Sequence, residues 1–336
     1  MAGRRLTQQQ QGRIQRLQDR RRHRSDQAIP EDEADLGPEQ AGLAITNHGA
    51  TVMVEDNEGR LQRCSVRQNL GRLACGDQVI WQVSGPAGGV VTAVVERRSL
   101  LTRPDFQGQP RPVAANLDAV VVVLAPEPNF SGDLIDRYLV AIAAIGVQGL
   151  LVLNKHDLLD EAALASLLNR LEPYHRMAYP LLPVSSRTSY GLDDLRAWLR
   201  GRTSLLAGQS GVGKSSLIKA LLPDRDIRIQ ALSAATGHGA HTTSASTLYH
   251  LPGGGDLIDT PGVRSFELGE IRLRDLDRGF ADIAPYLGRC RFSDCRHLRE
   301  PDCAVQVAVK RGEIALRRLD SYQQLRAALE TAGKSG

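Results

Sequence analysis

Gly208-Gln209-Ser210-Gly211-Val212-Gly213-Lys214-Ser215 follows the apolar run TSLLAG (203–208) and leads into SLIKALL (216–222), and the reading of this stretch decides the fold class. It satisfies GxxxxGK[ST] in strand–loop–helix context. Glycines let successive backbone N–H groups face inward, and the helix start adds its positive end, so the loop suits a chain of phosphates. Lys214 is placed to reach the β- and γ-phosphates and Ser215 to ligate Mg²⁺. A plain glycine turn would satisfy the pattern alone, but not the strand and helix around it. The lysine also stands out by composition: of 42 basic residues only five are lysines, at 155, 214, 219, 310 and 334.

Working outward, LDAVVVVLA (117–125) is a continuous apolar run, as for a strand buried on both faces. Asp133–Ile145 has helical spacing, and LLVLN (150–154), a helix near 161–171, LLPVSS (181–186) and a helix near 191–199 repeat the alternation. This predicts a parallel α/β sheet, to which DLIDTPG (256–262) adds another strand end. Upstream, residues 41–98 carry five short alternating runs with turns at DNEG (56–59) and SGPAGG (84–89), which predicts a small closed barrel of the OB type. From Arg272 onward the chain reads as mainly helical around a cysteine cluster, ending in an amphipathic helix near 313–331. Residues 1–40 lack hydrophobic periodicity. The expected division is an arm (1–40), a barrel (41–98), an α/β nucleotide domain (99–268) and a helical metal-binding domain (269–336).

Asn154-Lys155-His156-Asp157 ends a buried apolar strand. A carboxylate there accepts from both N1–H and N2–H₂ of guanine, a donor pair that adenine lacks, while the lysine stem packs along the base. Leaving such groups unpaired costs roughly 1–3 kcal/mol each, so guanine is favoured. Val184-Ser185-Ser186 fits a companion loop whose backbone reads guanine O6. Asp259-Thr260-Pro261-Gly262 places a carboxylate for the Mg²⁺ shell and a glycine N–H for the γ-phosphate. Between these lies the glycine-loosened Gly237-His238-Gly239-Ala240-His241-Thr242-Thr243-Ser244, in which one threonine completes the Mg²⁺ site, Thr243 being favoured over Thr242. The position after DTPG is Val263, whose side chain cannot orient water. A low intrinsic rate raised by a partner follows, with His241 the internal candidate for positioning water.

Base recognition precedes the phosphate loop, which precedes the two switch segments, whereas the usual GTPase begins with the phosphate loop. A sheet assembled in space tolerates moved termini, so the order reads as a circular permutation.

Cys290, Cys295, His297 and Cys303 place three thiols and one imidazole within 14 residues. That set suits one closed, structural tetrahedral Zn²⁺ site against the alternative of reduced core cysteines. Arg289, Arg291, Arg296 and Arg299 surround it and read equally as a solvated face or, beside a structural metal, as phosphate contacts. Five cysteines so distributed do not form a secreted disulfide framework. The net charge of +4 is uneven: residues 1–25 hold eight arginines and one acid, residues 26–39 six acids and no base. The basic start lacks the apolar core of a signal peptide. The apolar, uncharged stretch Tyr138–Leu153 is shorter than the ~20 residues of a membrane span and is broken by Gly146, Gln148 and Gly149.

Taken together, the permuted order, the GHGAHTTSAS loop, LLTRPDFQGQPRPVAANLD (100–118) and the Cys290/Cys295/His297/Cys303 cluster make the sequence resemble the RsgA family of ribosome small subunit-dependent GTPases over about residues 41–330. The resemblance implies a cytoplasmic GTP hydrolase that acts late in 30S maturation, binds 16S rRNA, is stimulated by the subunit and carries one zinc ion; a monomer that uses Mg²⁺ with GTP is expected. It implies nucleotide contacts at Asn154–Asp157 and Gly208–Ser216, and the four zinc ligands named above; Ser185 is expected as a nucleotide contact from the companion-loop reading. A second reading is a zinc-stabilised, RNA-binding guanine-nucleotide sensor with little turnover, which Val263 favours.

Overall fold

A computed structural model describes residues 36–47, 49, 51–85, 88–105, 107–224, 246–260 and 271–332. The alternating runs form β1 (Gln40–Asn47), β2 (Thr51–Asp56), β3 (Leu61–Val66), β4 (Gln78–Val83) and β5 (Gly89–Val94). β1 pairs with both β2 and β4, and β3 runs parallel to β5, which pairs with β4, so the five strands close on themselves as an OB-type barrel. Its interior is Ala44, Val52, Val54, Cys64, Leu73, Val79, Trp81 and Val91. The turn after β2 is shaped by Asp56, whose carboxylate accepts the backbone N–H of Glu58 and of Arg60, each at 2.9 Å. A hairpin, β6 (Leu100–Pro104) with β7 (Pro110–Ala115), then leads into the α/β body.

That body is built on β8 (Ala119–Leu124), β9 (Gln148–Leu153), β10 (Leu181–Pro183), β11 (Thr203–Ala207), β12 (Thr247–His250) and β13 (Asp256–Asp259), in the spatial order β10-β9-β8-β11-β13-β12. All but β12 are parallel. The helices on its faces are α1 (Gly132–Ile145), α2 (Glu161–Arg176), α3 (Leu192–Leu199) and α4 (Lys214–Leu221). Every residue of β8 is buried, and alternate ones serve opposite faces. Val120, Val122 and Leu124 pack with Ile135, Leu139 and Ile142 of α1 and Leu167 and Leu171 of α2. Val121 and Val123 pack with Leu195 and Leu199 of α3 and Leu217, Ile218 and Leu221 of α4. Burial on both faces explains the unbroken apolar run. α2 continues to Arg176 past Pro173, beyond the expected end near residue 171, because its last turn carries the buried Tyr174 against α1.

Two joints tie these layers to their neighbours. Thr46 of β1 pairs with Thr247 of β12, so barrel and body share one 11-stranded sheet. Beside it His250 bridges Asp256 at 2.7 Å and Glu55 of β2 at 3.0 Å. The bond to Asp256, opposed by partial burial and reinforced by Glu55, lifts the His250 pKa to about 9, so the bridge is cationic at neutral pH.

The C-terminal region contains α5 (Leu273–Gly279), α6 (Ala304–Lys310) and α7 (Leu316–Ala332), with a long irregular segment between α5 and α6. Leu276, Phe280 and Ile283 pack on Val140 of α1 and on Leu319, Tyr322 and Leu325 of α7. α7 is not apolar along its whole inner face: Arg318 there is 0 % exposed. It donates to Asp136 of α1 at 2.5 Å and to both carboxylate oxygens of Asp282 at 3.0 and 2.7 Å, and its guanidinium lies 4.2 Å from the centre of the Phe280 ring. Tyr174 donates to the same Asp136 at 2.7 Å. Arg318→Ala is expected to lower the unfolding free energy by about 3–5 kcal/mol, since it removes the guanidinium that pairs with the fully buried Asp136 and with Asp282. Urea denaturation followed by far-ultraviolet circular dichroism measures this, and a loss below about 1 kcal/mol would remove the network as the clamp between α7 and α1.

Candidate nucleotide site and metal centre

In the parallel sheet, the segments after β9, β10, β11 and β13 all emerge at the carboxyl edge. These carry 154–157, 184–186, 208–213 and 259–260, so one edge gathers most of the predicted nucleotide residues. Asp259 is brought beside the phosphate loop because Leu205 of β11 pairs with Ile258 of β13.

Within the loop, Gly213 adopts φ +92 immediately before α4. A Cβ there would sit 2.4 Å from Asn154 Nδ2, so the approach of the two motifs requires glycine. Lys214 turns back over the loop, its Nζ donating to the carbonyls of Gly208 at 2.5 Å and Gln209 at 2.7 Å. Val212 is buried, whereas Ser210, Gly211, Ser215 and Ser216 are exposed at the mouth.

Asn154 is fully buried and acts as a bolt between loops: its Nδ2 donates to the Val212 carbonyl at 2.9 Å and its Oδ1 accepts from Ser186 N–H at 3.3 Å. Lys155, at φ +60, sends its Nζ to the Glu127 carbonyl at 2.7 Å. Asp157 accepts from Ser185 Oγ at 2.6 Å and from Arg187 Nε at 2.8 Å. The Ser185 hydrogen bond foremost, with Arg187 adding to it, holds this carboxyl below its ordinary pKa and keeps it an acceptor. His156 stacks on Tyr190, with ring centroids 4.3 Å apart and planes within 9°. Arg187, Tyr190 and Glu127 escaped the sequence reading, since no motif spacing marks them. His241, Thr242, Thr243, Gly262 and Val263 lie outside the described residues, as does most of the N-terminal arm.

In the C-terminal region, Cys290, Cys295, His297 and Cys303 converge so that their ligand atoms lie within 4.8 Å of one another. A tetrahedral ion held at about 2.3 Å by sulfur and 2.0–2.1 Å by nitrogen separates two thiolates by about 3.8 Å and a thiolate from an imidazole by about 3.5 Å. The observed separations are 3.8 Å between the sulfurs of Cys290 and Cys303, and 3.5, 3.5 and 3.4 Å from His297 Nδ1 to Cys290, Cys295 and Cys303. The donor set therefore fits one closed four-coordinate ion. His297 is held at φ +64, and its carbonyl accepts from Gln306 at 3.1 Å and Gln323 of α7 at 2.5 Å. Burial pushes the Cys295 thiol up to about 12 and that of Cys303 in the same direction, so a bound cation is what would hold them as thiolates at neutral pH. Of the surrounding arginines, Arg291 reaches Asp302 at 3.0 Å and Arg296 reaches Glu330 at 3.7 Å, both remaining mostly exposed.

Comparison with known proteins places this architecture. The RsgA GTPase family model matches residues 94–269. The small ribosomal subunit biogenesis GTPase RsgA of Azotobacter vinelandii is 48% identical over 338 residues, covering 98% of this chain and 98% of the relative. The protein of the same name from Pseudomonas aeruginosa strain LESB58 is 46% identical over 334 residues, again with 98% of each chain covered. Among solved structures, YjeQ from Thermotoga maritima superposes with a TM-score of 0.71 at 33% identity, covering 87% of this chain and 99% of that one. YloQ, described as a circularly permuted GTPase, superposes with a TM-score of 0.68 at 29% identity, covering 91% and 99%.

Proposed function

Since the chain belongs to the RsgA GTPase family, we propose that it hydrolyses GTP to GDP and phosphate during late maturation of the small ribosomal subunit, binding the 30S particle through its 16S rRNA and being stimulated by it. The observation that carries this reading is the gathering of the base and phosphate motifs on one sheet edge in permuted order, together with a cluster of three cysteines and one histidine in the C-terminal region.

On this reading Asp157, with Lys155 and Ser185 beside it, reads guanine, and Gly208–Ser216 cradles the phosphates with Lys214 neutralising their charge. Ser215, Asp259 and Thr243 would hold Mg²⁺, which when bound offsets charge on the β- and γ-phosphates. Gly262 would bond the γ-phosphate and His241 position the water. Cys290, Cys295, His297 and Cys303 would hold a structural zinc ion that organises the segment between α5 and α6. We divide the chain into an arm, a barrel, a GTPase domain (99–268) and a zinc domain (269–336), with the arm–barrel boundary expected at 40/41 moved back, since Gln40 opens β1 and Gly37 N–H already donates to the Val83 carbonyl of β4. The protein would act as a cytoplasmic monomer; among the described residues no helix is long and apolar enough to cross a membrane.

The experiment is GTP turnover with and without purified 30S subunits. We expect the subunit to raise kcat by at least about tenfold, since Val263 leaves the water unassisted by the residue after DTPG. Absence of stimulation would overturn the partner-activated reading and favour the nucleotide-sensor alternative.

A further inference from the structure

The loops at 154–157 and 184–191 meet along a seam. The β9–β10 ladder extends into it through Val184 N–H to the Leu153 carbonyl at 2.8 Å and His156 N–H to the Val184 carbonyl at 3.0 Å. Past that point the side-chain ties between the loops run mostly through one carboxylate, since Ser185 Oγ and Arg187 Nε both donate to Asp157. Those are the oxygens a guanine would also engage. The stack of His156 on Tyr190 crosses the same seam without using any lone pair of Asp157.

Tyr190 is coupled to the carboxylate by a short chain of bonds. Its carbonyl accepts from Ser185 N–H at 2.9 Å, and Ser185 Oγ in turn donates to Asp157. The backbone is shaped to present the two rings: Lys155 before His156 has φ +60, and Ser189 and Gly191 on either side of Tyr190 have φ +64 and +67. At Gly191 a Cβ would lie 2.3 Å from the Pro183 carbonyl. Left-handed backbone at non-glycine residues is costly and persists where surrounding contacts over-determine it. Tyr190 is nevertheless 53 % exposed, so burying the ring in a core does not explain its position.

We propose that the His156–Tyr190 stack is a positioning clamp for Asp157, setting guanine affinity and its discrimination from bases that lack the 2-amino group. The clamp rests on the base-site reading given above. Tyr190 itself does not touch the base; it holds the seam closed so that Asp157 presents both oxygens in the plane of the guanine edge. A loosened seam weakens the pair of hydrogen bonds to N1–H and N2–H₂ more than it weakens phosphate contacts, so the guanine-specific part of the affinity falls first.

The test uses the full chain and competition binding of GDP and of IDP, which lacks the 2-amino group. Tyr190→Ala is expected to weaken GDP binding by about three- to tenfold, the range an aromatic pair supplies, and IDP binding by less, narrowing the GDP/IDP ratio. Tyr190→Phe keeps the ring and should restore both to within about twofold. With GTP as substrate, Tyr190→Ala should raise KM at nearly unchanged kcat, and the thermal midpoint should stay within about 2 °C. The double variant His156→Ala/Tyr190→Ala should bind GDP no more weakly than the worse single variant, since one stack is lost in each case. An unchanged GDP/IDP ratio in Tyr190→Ala, or additive losses in the double variant, would overturn the clamp. Asp157→Asn separates this from the underlying site: if it collapses the ratio while Tyr190→Ala leaves it alone, only the clamp falls. If Asp157→Asn also leaves the ratio unchanged, the base site itself is misassigned.

Discussion

Lys214→Ala should lower kcat/KM for GTP by about two to three orders of magnitude, the scale on which removal of one preorganised charge-stabilising donor is felt. The ammonium is held inside the phosphate loop by the carbonyls of Gly208 and Gln209, at 2.5 and 2.7 Å, so its position is set before phosphate arrives. Alanine removes the charge and leaves both carbonyls facing the same space as the phosphates. Lys214→Arg should fail almost as badly. A planar fork is larger than the compact ammonium and cannot point its charge between two carbonyls on one turn of loop. Single-turnover hydrolysis together with fluorescent GTP binding separates loss of chemistry from loss of affinity. A fall of less than tenfold in kcat/KM would show that Lys214 is not the phosphate-neutralising group.

Cys295→Ser is expected to have the largest effect on stability. The metal-centred unit has a small apolar core, built around Phe280, Ile283, Val305, Leu319, Tyr322 and Leu325, and the ligand loop between α5 and α6 contains little regular structure to hold it. A structural zinc ion contributes on the order of 10–16 kcal/mol in such sites, more than a core of this size supplies. Wild-type protein should therefore carry one equivalent of zinc, and the variant should lose most of it along with the helical signal of residues 273–332. Nucleotide binding should change by no more than about twofold, because the phosphate and base loops rest on two cores that share no ligand residue with the metal site. Elemental analysis, circular dichroism and GDP titration on one preparation read all three. Full metal retention with unchanged melting would remove the structural role assigned to the cluster.

Both expectations start from residues recognisable in the chain itself, and the reason is local. A phosphate loop needs its glycines, lysine and hydroxyl within eight positions of sequence, and the cluster from Cys290 to Cys303 lies within 14. The six-residue apolar run of β8 likewise announces a strand covered on both faces. The hairpin of β6 and β7 escaped the strand reading because its prolines and arginines, Pro104, Pro110, Arg111 and Pro112 among them, interrupt any alternation. β12 has only four residues and is defined by its partners, β13 on one side and β1 on the other. In α7 an arginine occupies the inner face, which hydrophobic periodicity reads as solvent. Only the presence of Asp136 and Asp282 opposite makes that position a buried one.

The sequence by itself determined the permuted order of the nucleotide motifs, the Cys290/Cys295/His297/Cys303 cluster, the barrel and the family, because each is encoded by residue types within short windows whose chemistry admits few readings. Tertiary structure alone decided that barrel and body share one sheet through Thr46 and Thr247, that Arg318 locks the C-terminal helix onto α1, and that Tyr190 meets His156 across the base loops. Those contacts join residues 34 to 201 positions apart, and a pairing at that range is set by which sheet edges and helix faces the whole chain brings together, not by any pattern carried in either segment.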